Sequence, residues 1–103
     1  MTEMIHPRMR ERLEQVERAA AWRAERELAG AIDELERYAA ALDARLGVGL
    51  GEGVADVCAR LRRSLDAHAP QSPAGRIVRR FLPDRLAELR ADCEQTEAAL
   101  AIR

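Results

Sequence analysis

An unbroken apolar stripe occupies the first half of the chain and dictates a helix there. It comprises Met9, Leu13, Val16, Ala20, Ala24, Leu28, Ala31, Leu35, Ala39, Leu42 and Leu46, and every step is three or four residues. That is the period of one helix face and not of a strand. Pro7 suits a first turn, where its missing N–H is unneeded. Leu13, Ala24, Leu35 and Leu46 also recur every eleven residues, so the stripe keeps close to the helix axis without demanding a left-handed supercoil. A helix over about 7–46 spans roughly 60 Å at 1.5 Å per residue. Gly30 costs about 1 kcal/mol inside it, and the strong helix formers on both sides carry the helix through.

Alternating glycines at 47, 49, 51 and 53 end this helix, with Gly47 placed as a left-handed cap. The run lacks the spacing and the Lys-Ser/Thr of a phosphate loop and follows a helix instead of a strand. A second helix is expected over about 54–68, with Val54, Val57, Cys58, Leu61 and Leu65 on one face. Its charges suggest the pairs Asp56–Arg60 and Arg62–Asp66. Ser72-Pro73 restarts the chain, as an N-cap side chain followed by a residue preset for the first turn. Ile77, Val78 and Phe81 then form an apolar face, and Pro83 is expected to end or kink that short helix near Leu82. Leu82, Leu86, Leu89, Cys93, Thr96 and Leu100 carry the stripe on, so the third segment runs over about 73–102.

These elements specify an all-α fold, a small helical bundle with one long N-terminal helix packed against two others. At 103 residues the chain is one domain, 1–103. Aromatic residues make up 3% of it, so the core is aliphatic and a sheet, which favours β-branched and aromatic residues, is excluded. Cys58 and Cys93 lack metal or redox spacing and suit buried thiols in a reducing cytoplasm. No apolar run approaches the length of a membrane helix, and the first residues lack a continuous signal-peptide core. A long helix outruns two shorter partners, and symmetric pairing is the simplest way to cover its free end; a homodimer is expected.

Trp22 lies about 200° around the helix from Ala20 and Ala24, away from the main stripe. Arg26, Ala29 and Arg37 share its side, with Arg26 placed to stack on the indole. Tryptophan and arginine are enriched among binding hot spots, so these four residues form the candidate dimer or partner surface.

All seventeen basic residues are arginine. The net charge of −1 argues against a globally basic nucleic-acid binder, yet residues 60–85 carry +5 between flanks of −4 and −2. Arg60, Arg63, Arg76, Arg79 and Arg80 are therefore candidates for an anion or nucleic-acid patch, although no stacking aromatics or helix-turn-helix accompany them. The competing reading turns this basic middle onto the acidic first helix. His6 and His68 have no Glu-x-x-His context for metal, and no nucleophile–base spacing is present. No catalytic residue, metal or cofactor is expected.

The order long helix, shorter helix, third helix in about a hundred residues resembles the all-helical chorismate mutases in element lengths. Those enzymes are interlocked dimers whose pockets grip a dicarboxylate. The resemblance makes Arg10, Arg26, Arg37, Glu52 and Glu97 the counterparts, while the basic residue that family places early in its second helix has no match between Gly49 and Asp56. The simplest expectation is a non-enzymatic protein–protein interaction module of adaptor, regulatory or chaperone-like type, binding itself and another protein. A mutase-like enzyme and a nucleic-acid binder are the alternatives.

Overall fold

The computed structural model describes residues 7–101, of which the great majority are helical. Three helices follow in order: α1 (Pro7–Leu46), α2 (Leu50–Ala67) and α3 (Pro73–Ala101). His6 and residue 102, the last of the expected third segment, lie outside the described residues. No strand is present among the described residues, and none of their helices is long and apolar enough to cross a membrane.

The turn between α1 and α2 is fixed by two glycines and one carboxylate. Gly47 (φ 64°) and Gly49 (φ 72°) adopt left-handed conformations that other residues resist. The Gly47 amide donates to the Asp43 carbonyl at 2.8 Å. The Asp43 side chain then accepts from the amides of Leu50 and Gly51, each at 2.6 Å. A carboxylate on first-turn amides also suits the positive end of the helix. This cap explains why α2 starts at Leu50, four residues before the expected Val54: it offsets the entropy cost of Gly51 and Gly53 within the first turn.

The α2–α3 turn follows its sequence signature. Ser72 Oγ accepts from the Gly75 amide at 2.9 Å and donates to the Ala69 carbonyl at the same distance. The Ala69 backbone fills the space a Cβ at position 75 would need, so only glycine fits there. α3 continues through Pro83 to Ala101 as one helix. Pro83 is exposed, and buried Leu82 and Leu86 on either side anchor the helix across the missing donor.

One core joins the three helices. Ile32, Leu35, Ala39 and Leu42 of α1 meet Val54 and Cys58 of α2 and Leu82, Leu86, Leu89 and Cys93 of α3. The cross-helix pairs give the directions: Arg62 reaches back to Asp33 and Glu36, whereas Arg79, Arg90 and Glu97 meet Glu25, Glu34 and Arg45 in ascending order. α2 is therefore antiparallel to α1, and α3 returns parallel to it. Of the apolar face read at Ile77, Val78 and Phe81, Val78 is half-buried while Ile77 and Phe81 are 58% exposed.

The core reaches only the second half of α1. Every residue from Pro7 to Ala24 is exposed, and burial begins at Glu25 and Leu28. The molecule measures 74 × 23 × 19 Å as a result. Its radius of gyration, 19.2 Å, compares with about 13 Å for a compact chain of this length.

Candidate interaction surfaces

Where the bundle ends on α1, Arg79 fastens it. Its guanidinium donates to both Glu25 carboxylate oxygens, at 2.7 and 2.6 Å. The same group donates to the carbonyls of His68 (2.9 Å), Gly75 (3.1 Å) and Leu65 (3.2 Å). Leu65 and His68 close α2, whose last carbonyls have no partners within the helix. One planar fork thus joins all three elements. With 13% of its side chain exposed, Arg79 is committed to the fold, and its hydrogen bonds to Glu25 hold its pKa above the ordinary range.

Arg62 behaves similarly at mid-bundle. Its guanidinium bonds to Glu36 and Asp33 of α1, which replace the Asp66 partner expected within α2. The acidic face of α1 therefore takes up two central cations of the 60–85 segment. Arg60, Arg63, Arg76 and Arg80 stay exposed on the outer sides of α2 and α3, with the Arg80 guanidinium 6.0 Å from the Phe81 ring centroid. Of the five arginines grouped as an anion patch, Arg79 is withdrawn.

Near the other end of the bundle, Glu97 accepts from Tyr38 Oη at 3.0 Å and from Arg45. These bonds, that from Arg45 foremost, lower the Glu97 pKa. Loss of water and the neighbouring carboxylate raise that of Tyr38. The Arg90 guanidinium covers the Tyr38 ring at 4.9 Å. Each group is partnered by another, so the cluster ties α3 to α1.

Cys58 and Cys93 are fully buried free thiols in the same core, and burial raises the pKa of both. A thiol kept protonated and inaccessible is a poor nucleophile. No group of His, Cys, Asp and Glu able to hold a metal ion occurs among the described residues. A groove of about 330 Å³ lies between the start of α2 and α3, lined by Val48, Leu50, Val54, Val57, Leu89 and Cys93 among others. It is mainly apolar and contains no acid–base pair.

Trp22 stands on the projecting part of α1, 60% exposed. The Arg26 guanidinium lies over it, 4.7 Å from the ring centroid. Ala29 and Arg37 continue that side and are also exposed. A second exposed surface lies on the opposite side of the same segment, at the end of α1 that the helix lengths leave uncovered. Met9 (56%), Leu13 (49%) and Val16 (63%) are exposed too, because no helix of the chain reaches them. The signal was present in the unequal helix lengths.

The five positions that the mutase resemblance singles out do not converge within the chain. Arg10 and Arg37 lie about 40 Å apart along α1, and Glu97 is held by Tyr38 and Arg45. Compared with family profiles, curated proteins and solved structures, the chain matches none of them.

Proposed function

We propose that this protein is a non-enzymatic helical interaction module, of adaptor, regulatory or chaperone-like type, which works as a homodimer and docks another protein. One observation carries this reading: α1 projects about 27 Å beyond its bundle and bears two exposed apolar surfaces, Met9–Leu13–Val16 and Trp22 under Arg26. Contiguous exposed apolar surface on a small domain is a mark of contact sites. The bundle behind it serves as a rigid mount.

The two surfaces have separate uses in this reading. Trp22 is a flat anchor whose indole N–H remains available for a partner's acceptor, with Arg26, Ala29 and Arg37 extending the contact along the helix. A reducing cytoplasm is the compartment that suits its two thiols.

Native mass spectrometry of complexes isolated from cell lysate tests the heterologous contact. A companion protein bound by the wild type is expected to be lost with Trp22→Ala while helicity by circular dichroism is unchanged. Retention of the same companion at the same occupancy by Trp22→Ala would remove Trp22 from the contact and refute the reading.

A further inference from the structure

We infer that the projecting segment of α1 pairs antiparallel with the same segment of a second copy, along Met9, Leu13, Val16 and Ala20. The inference rests on the reading of this segment as a contact element, and it assigns the occupant of one of its two surfaces.

The four residues fall within about 60° of one another at 100° per residue, and all are exposed. They lie on the side of α1 that α3 covers further along, where Glu34, Tyr38 and Arg45 meet Arg90 and Glu97. That continuity fixes the direction. A second α1 laid parallel on this stripe would run straight into the volume held by α2 and α3, and would bring its own bundle into the same space. Laid antiparallel, its first turn stops level with Ala19–Trp22, just short of Glu25 where the bundle begins, and its own bundle lies beyond the Pro7 end. The length of the projection fits one such overlap.

Side-chain sizes agree with an antiparallel register. When Leu13 of one copy faces Val16 of the other, Met9 faces Ala20. Large residues meet smaller ones, so the layers fill evenly. A parallel in-register pair would set Met9 against Met9 and Ala20 against Ala20, crowding one end and leaving a void at the other.

Charge agrees as well. Arg10 and Glu17 lie on the same edge of the stripe, about 20° apart in projection. In antiparallel helices like edges face each other, and this register sets Arg10 of each copy opposite Glu17 of its mate. That edge thus carries its own complement twice, as a two-fold interface requires, while the opposite edge, with Arg8, Arg12 and Arg23, presents like charge that weakens the pairing. Four layers form a seam smaller than a standard stable interface, so the association is weak.

Sedimentation equilibrium of the full chain, together with cross-linking, tests this. The wild type is expected to pass from monomer to dimer through the micromolar range. Arg10→Glu and Glu17→Arg, each alone, are expected to raise Kd about tenfold, and the double exchange to recover most of that loss. Under mild oxidation, Met9→Cys mixed with Ala20→Cys is expected to give a disulfide-linked heterodimer. Neither variant should link to itself, because its own equivalents lie about 16 Å apart along the axis. Self-linking of Met9→Cys would show parallel pairing and overturn the inference, as would failure of the double exchange to restore association. A monomer at every concentration would also overturn it and give the stripe to a heterologous helix; the Trp22 reading would still stand or fall by its own test.

Discussion

Arg79 shows how a residue that looks like part of a surface patch becomes a structural fastener. Its five hydrogen bonds to Glu25, Leu65, His68 and Gly75 use the Nε and both terminal nitrogens of the fork and leave little of the side chain in water. Removing such a group strands a carboxylate and the carbonyls that end α2. Arg79→Ala is expected to cost about 2 kcal/mol, which lowers the melting temperature by roughly 8–16 °C in a domain of this size. Exposed Arg63→Ala is the contrast and should stay within about 0.5 kcal/mol of the wild type. Thermal denaturation followed by circular dichroism measures both; equal shifts would mean Arg79 is no more than a surface cation. The sequence made the abundance of arginine plain but not its assignment, because Glu25 and Arg79 are 54 positions apart and only the folded path of α3 brings them together. Ser72, whose cap is local, was legible at once.

Among the elements, the glycines separate what periodicity reveals from what packing decides. Gly30 and Gly51 both sit inside helices, and both carry the same intrinsic penalty there. A Cβ at Gly30 meets nothing within 4 Å. A Cβ at Gly51 would lie 2.8 Å from Asp43 Oδ2 and 3.3 Å from the Ala40 Cα, so the capping carboxylate would have to move and the α1 backbone to give slightly. Gly30→Ala is therefore expected to stabilise the protein by about 0.5–1 kcal/mol, and Gly51→Ala to destabilise it by about 1–2 kcal/mol through loss of the cap. Urea unfolding of the two variants checks the opposite signs. Three helices and their breaks were readable from apolar spacing and turn residues. The early start of α2 was not, because its cap comes from Asp43 on the preceding helix. Nor was unbroken passage through Pro83, which depends on how Leu82 and Leu86 are held in the core.

At the scale of the whole molecule, the unequal lengths of the helices are the controlling fact. α2 has 18 residues and α3 has 29, and the antiparallel–parallel path sets both against the C-terminal half of a 40-residue α1. The stripe on α1 does not announce where its cover ends, since Leu13 and Leu35 look alike in sequence while one is half exposed and the other buried. The molecule is consequently two units of different stability. Core amides near Ile32, Leu35 and Ala39 open only with global unfolding, whereas a lone helix of about 18 residues is marginal in water and frays from its free end. Amide hydrogen exchange in dilute solution should show slow exchange in the bundle and protection below about tenfold over much of residues 11–22, where no tertiary contact supports the backbone. Raising the concentration through the dimerisation range should slow exchange in that segment and leave the bundle unchanged, because mass action stabilises only what the second copy touches. Protection in the projection equal to that of the core under dilute conditions would mean that α1 opens as one cooperative rod. In that case its first half would need no second copy for order, and pairing would contribute affinity alone.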